Sequence, residues 1–236
     1  MIKDLIDQRF TSHHWLDIPI EQQKVDYILD CAYGAPSKQS IYPYTINVLT
    51  DSPQAIEFKD WLYWHDTWCV DGARAPMDKT DSDNKTFNGQ YLAPLLLMWS
   101  MRIPPAEEHN DAPYWKHFNE WWSSKNKEQI LADMTVSSTF ALLAAEEQGL
   151  HTGYAVCHSG IFTDTILGQG EIRVGMALGI GYADTDLQTK DIMMHEVVKN
   201  GTKQGRQPRN LPNTFPVQNH FFRKRKPSKD VLIKFI

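Results

Sequence analysis

The stretch Ala35-Pro36-Ser37-Lys38-Gln39-Ser40-Ile41-Tyr42-Pro43-Tyr44 separates two different residue patterns. Before it, Val25, Ile28, Leu29 and Ala32 fall at the i, i+3, i+4, i+7 spacing of one helix face. Pro36 disfavours a helical Ala35, so that helix ends here. After it, Tyr44-Thr45-Ile46-Asn47-Val48-Leu49-Thr50 alternates and is rich in β-branched and aromatic residues, the pattern of a strand. The loop between them is pinched by Pro36 and Pro43 and carries hydroxyl and amide groups. It suits a polar ligand, and it equally suits an ordinary surface turn.

Upstream, Ile2, Leu5 and Ile6 make a short apolar helical face running into Arg9-Phe10-Thr11, and Asp17-Ile18-Pro19 can open the next helix. Downstream, Asp51-Ser52-Pro53 signals a helix start capped by Ser52, opening an aromatic helix with Trp61, Tyr63, Trp64 and Trp68. Residues 69–90 are polar and read as a mobile loop or lid. Ala93–Met101 is an unbroken apolar run, expected as a strand buried on both faces. A second aromatic block holds Trp115, Trp121 and Trp122; the two blocks suit core packing or a cap over an aromatic substrate. Lys127–Gln148 returns to helix with Gly149 beyond its end. Tyr154–Cys157 and Val174–Tyr182 read as strands, and Ile161–Leu167 as a short helix. Pro- and Gly-punctuated residues 199–236 form an extended arm with an apolar end, Val231–Ile236.

With 236 residues, 42% hydrophobic and 22% charged, the chain has the composition of one globular domain. Helices alternating with strands argue for an α+β or α/β layered domain. No apolar run reaches the ~20 residues that cross a bilayer, and no signal-peptide pattern opens the chain. Three scattered cysteines, with no C-x-x-C, suit reduced thiols in the cytoplasm. Lys199 to Lys229 contains nine basic and no acidic residues, leaving 15 basic against 29 acidic residues elsewhere. Such an arm suits an anion site, an acidic partner or nucleic acid. The P-loop and Rossmann glycine patterns are absent. The nine histidines show no H-E-x-x-H and no carboxylate grouping, so no metal is expected.

The 35–44 loop resembles the "A-P-S-x-x-N-x-Q-P-W" loop of the nitroreductase family. Arg9-Phe10-Thr11 is similar to that family's N-terminal R-x-S/T, Ala144–Gly153 to its "A-A-x-x-x-G-L-G-T" segment, and Arg225-Lys226-Pro227 to its "R-K-P". The four occur in the family's order and span nearly the whole chain. The resemblance implies a single α+β domain over residues 1–236, a mixed β-sheet flanked by helices. Residues 57–125 would form a variable cap region, and the 199–236 arm would be exchanged between subunits of a homodimer.

The resemblance further implies FMN at the subunit interface, each site drawing residues from both chains. Arg9 and Arg225, with Arg223 beside them, would grip its phosphate; Arg is suited because its planar fork binds two phosphate oxygens. Phe10, Thr11, His13, Pro36, Ser37, Lys38, Ser40 and Asn88 would contact the remainder. His158, Ser159 and Gly160 would face the reactive edge, with the Ser159 and Gly160 backbone near flavin N5. Three positions depart from the family: Ser40 replaces Asn, Tyr42 replaces Gln, and His13 replaces a Lys or Arg that stabilises the reduced ring.

The implied activity is NADH- or NADPH-dependent reduction of a small nitroaromatic, quinone-like or similar electron-poor acceptor, with ping-pong kinetics. A flavin-binding or flavin-supplying protein of little reductase activity is the alternative. Nucleic-acid binding through Arg223–Lys226 is a remote one, opposed by the acidic body. No membrane or nucleic-acid partner is expected.

Overall fold

A computed structural model describes residues 2–65, 68–69, 85–86, 89–102, 127–155 and 174–183. Its helices are α1 (Ile2–Gln8), α2 (Gln22–Tyr33), α3 (Pro53–His65) and α4 (Lys127–Glu147). Its strands are β1 (Tyr44–Leu49), β2 (Trp68–Cys69), β3 (Lys85–Thr86), β4 (Leu95–Met101), β5 (His151–Ala155) and β6 (Val174–Gly181). Single 3-10 turns occupy Lys38–Ser40 and Gly89–Leu92.

The main sheet runs β1-β4-β6-β5. Val48 faces Leu97, Leu97 faces Leu178, and Gly153 faces Gly179, all across antiparallel pairs. Among the described residues the parallel component of the expected mixed sheet is one bridge, Thr11 to Thr152.

β4 explains the two cores. Successive side chains of a strand point to opposite faces. Leu95, Leu97 and Trp99 pack with Ile28 of α2, Ile130 and Met134 of α4, and Leu178 and Ile180. Leu96 and Met98 pack with Phe58 and Leu62 of α3 and with Tyr91. All five β4 side chains are buried, as an apolar run without alternation requires. The result is three layers, with helices on both sides of one sheet.

Local chemistry sets the helix ends. Ser52 Oγ accepts the Ala55 N–H at 3.2 Å, capping α3. α4 closes on Gly149 at φ 73°, with Leu150 N–H donating to Ala145 O and Gly149 N–H to Glu146 O, both at 3.0 Å. That is a Schellman ending, and Leu150 is buried beneath it.

Three elements differ from the sequence reading. α2 starts at Gln22, because Trp15 is bridged to Ala183 and Leu16 N–H donates to Tyr182 O, tying the chain down before a helix can begin. β5 begins at His151, three residues early, where Thr152 and Gly153 pair with Ile180 and Gly179. Trp68 lies in β2, not in the aromatic helix, and its pairing with Thr86 joins the two ends of the expected 69–90 loop. Residues 70–84 and 87–88 of that loop, the 115–122 aromatic block, the 161–167 helix and the 199–236 arm lie outside the described residues. No helix among the described residues is long and apolar enough to cross a membrane.

Candidate functional site

Arg9 follows α1, its N–H donating to Leu5 O at 3.0 Å. The chain then lies along the edge strand β5. Thr11 bridges Thr152 in parallel, and Ser12 N–H donates to Thr152 O at 2.9 Å. The Phe10 ring meets the His151 ring at 5.1 Å between centroids. Two segments about 140 residues apart, both singled out in the sequence, are thereby hydrogen-bonded neighbours.

A third segment wedges against them. Trp15 Nε1 donates to Gly89 O at 2.9 Å, and Gln90 Nε2 donates to Tyr154 O at 3.1 Å. The approach is so close that a Cβ on Gly153 would stand 2.2 Å from Ser12 O, and one on Gly89 2.2 Å from His13 O. Glycine is required at both places for lack of room. Gln90 is buried beside His13, with which it shares a hydrogen bond.

The electrostatics follow from this packing. Burial lowers the His13 pKa, opposed by the Gln90 hydrogen bond, although the side chain still has surface open to water. His14 is pushed down to about 4 by burial and by the neighbouring His13. Burial lowers His151 as well, and its Nδ1 accepts the Ala183 N–H at 3.3 Å. Burial raises Glu146, opposed by the Thr152 hydroxyl that donates to it at 2.6 Å and by the Arg9 charge. Arg9 also acts on Tyr154, whose hydroxyl donates to Ser138 Oγ at 3.0 Å. The cluster therefore offers a guanidinium, the exposed Thr11 and a neutral imidazole at pH 7, a donor set suited to an anion with a polar extension.

The 35–44 loop is built differently. The Ser37 hydroxyl donates to Asp133 Oδ2 at 2.6 Å, the Lys38 N–H donates to the same oxygen at 3.1 Å, and Tyr42 N–H donates to Ser37 Oγ at 2.9 Å. Ser40 N–H donates to Ser37 O, Ile41 N–H to Lys38 O, and Arg102 Nε to Tyr42 O. Ser40 and Tyr42 are left-handed, at φ 57° and 48°. Pro36, Lys38 and Ser40 are exposed, and Ser37 is half-buried.

Of the residues singled out in the sequence, the fold thus groups Arg9, Phe10, Thr11 and His13 at β5, and Pro36, Ser37, Lys38 and Ser40 at α4. Asn88, His158, Ser159, Gly160, Arg223 and Arg225 lie outside the described residues. The sequence reading missed Gln90, although it stands two residues from Asn88, and Asp133. The signal for Asp133 was its isolation: between Glu128 and Glu146 it is the one charged residue of α4.

The fold has known counterparts. The chain is similar to B. megaterium NfrA1 (TM-score 0.59, 14% identity, 91% of this chain and 74% of that one). It is similar also to nitroreductase A from Vibrio parahaemolyticus (0.57, 17%, 89% and 77%). A nitroreductase family protein from Clostridium novyi matches at 0.54 and 16%, over 79% of this chain and 87% of that one. No family model and no curated protein matches the sequence. With several nitroreductases sharing its layers at such low identity, the likeness is one of architecture: this chain has the nitroreductase fold.

Proposed function

We propose that this protein is an FMN-dependent oxidoreductase of the nitroreductase type, reducing a small electron-poor acceptor with NADH or NADPH. The observation that carries the reading is the pairing of Arg9–Ser12 onto Thr152, which unites two motif segments in a cationic, hydroxyl-bearing corner. Arg9 fits a phosphate, with Arg223 and Arg225 added from the arm, and Phe10, Thr11, His13 and Asn88 fit the ribityl chain and ring edge. His158, Ser159 and Gly160 take the position near N5, acting through backbone N–H groups. When bound, FMN supplies the hydride relay between nicotinamide and acceptor, whereas the protein binds, orients and shields. The neutral acceptors are nitroaromatics or quinones, the kinetics are ping-pong, and the setting is the cytoplasm.

The second protomer completes the site. The loop is held at Asp133 while the Arg9 charge acts at Glu146, thirteen residues along α4, or about 20 Å at 1.5 Å per residue. One chain's loop and its own Arg9 segment therefore belong to two half-sites, and Pro36, Ser37, Lys38 and Ser40 serve the flavin of the partner subunit. α4 supports this with an exposed side that carries no charge between Gln129 and Ala145 and on which Val136 and Phe140 lie one turn apart. The arm of residues 199–236 wraps the partner.

An absorbance spectrum of the purified protein tests the reading, followed by anaerobic addition of NADH and then NADPH. Flavin bands that bleach with either donor establish a reductase. A flavin that stays oxidised favours a binding protein, for which the observation is His13: a neutral ring stabilises a reduced, anionic flavin less than the Lys or Arg it replaces. Absence of flavin after FMN is added removes both.

A further inference from the structure

We propose that Asp133 is a positioning residue, whose carboxylate latches the 35–44 loop through Ser37 and the Lys38 amide in the strained form that presents Lys38, Ser40 and Tyr42 to a ligand. The ligand in question is the flavin of the proposed function, so this half of the inference rests on that reading; the latch itself does not.

A buried carboxylate is unfavourable unless hydrogen bonds compensate it, and Asp133 is buried. Its compensation comes from the loop: one oxygen accepts both the Ser37 hydroxyl and the Lys38 N–H. Ser37 passes the constraint on, because its oxygen accepts the Tyr42 N–H while its hydrogen is committed to Asp133. A single chain of bonds thus runs from α4 through Ser37 to Tyr42.

That chain spans two backbone outliers. Left-handed Ser40 and Tyr42 are unfavourable for side chains of their type and persist only where the surroundings over-determine them. A turn with no further task would take glycine there. The loop's N–H groups at 38, 40, 41 and 42 are all engaged internally. At these positions side chains and carbonyls are left to meet a ligand, and the Ser40 and Tyr42 side chains are aimed by their own left-handed dihedrals. Ser37, with its hydroxyl hydrogen directed at Asp133, serves the flavin through the loop that it holds and not as a hydrogen-bond donor.

Amide hydrogen exchange on the full chain without flavin tests the latch first. In D133A the Lys38 and Tyr42 amides exchange at least about tenfold faster, while the β1–β4 ladder amides keep their rates. D133N, whose amide oxygen still accepts both bonds, restores slow exchange. S37A frees Tyr42 and leaves Lys38 slow, and it serves with D133N if D133A fails to fold. Unchanged exchange in D133A, or an equal acceleration across the sheet, overturns the latch. FMN titration comes second: affinity falls about tenfold or more in D133A and is recovered in D133N. Wild-type affinity in a D133A protein with a loosened loop overturns the positioning role. A wild-type chain that binds no FMN but shows the expected exchange pattern overturns the flavin reading and supports the latch.

Discussion

A methyl group on Gly153 would stand 2.2 Å from the Ser12 carbonyl oxygen and 2.9 Å from Gln90 Cγ. Gly153→Ala must therefore push the Arg9–His13 strap off β5, and it is expected to lower stability by at least about 2 kcal/mol in chemical denaturation, as overpacking does. Gly149→Ala is the control, since its Cβ would meet nothing within 4 Å and only the left-handed φ opposes it; about 1 kcal/mol is expected. Protonation acts on the same corner. A histidine whose folded pKa lies below its unfolded value of about 6.5 contributes stability above that pH and loses it as pH falls, because the unfolded chain takes the proton first. For His14, down to about 4, the loss runs between roughly pH 6.5 and 4, and the lowered His13 and His151 add to it. Glu146, raised by burial, has the opposite sign: the folded chain takes that proton first, so stability is gained as pH falls from its raised folded value toward 4.5. Melting temperature is expected to fall from pH 7 to 5, with a smaller fall in His14→Gln; an unchanged slope would remove His14 as a cause. Arg9 and Thr11 were singled out in the sequence because a short motif carries them. Gln90 and Asp133 were not, since a polar residue in a turn or helix is ordinarily solvated, and what makes these unusual is which distant carbonyl, hydroxyl or amide they meet.

On the scale of elements, α3 is fastened to the sheet by a lysine. Lys59 is almost wholly buried, and its Nζ donates to Ala93 O and Pro94 O at 2.9 Å each, with Asp51 Oδ1 at 3.4 Å. Lys59→Met keeps the stem's packing and strips two carbonyls and a carboxylate of their donor. A loss of about 2–3 kcal/mol is expected, measured by urea denaturation, and a value near zero would mean water replaces the ammonium. Periodicity found α2, α4, β1, β4 and β6 to within a few residues, because each pattern there is long and its burial one-sided or complete. It placed β5 three residues late, since His151-Thr152-Gly153 shows no alternation and becomes strand only by pairing with β6. It opened α2 at Pro19 for want of any sign that Trp15 and Leu16 are tied to Tyr182 and Ala183.

For the whole molecule, the uncharged face of α4 is the clearest constraint. Phe140 is 42% exposed in a helix with no outward charge from Gln129 to Ala145. If that face is the dimer contact, Phe140→Asp shifts the protein toward monomer in sedimentation and lowers FMN affinity with it; a Phe140→Asp dimer that holds FMN normally would place the contact elsewhere. The strand order has a consequence in time. β6 is an interior strand of the sheet and the last of its four to leave the ribosome, while β4, buried on both faces in the finished protein, is made some eighty residues earlier. At about 5–20 residues per second the nascent chain carries Leu95–Trp99 without its central neighbour for several seconds or more. Chains stalled before Val174 would hold β4 and β5 with nothing to join them, which makes this interval the one in which a chaperone, or aggregation, competes with folding.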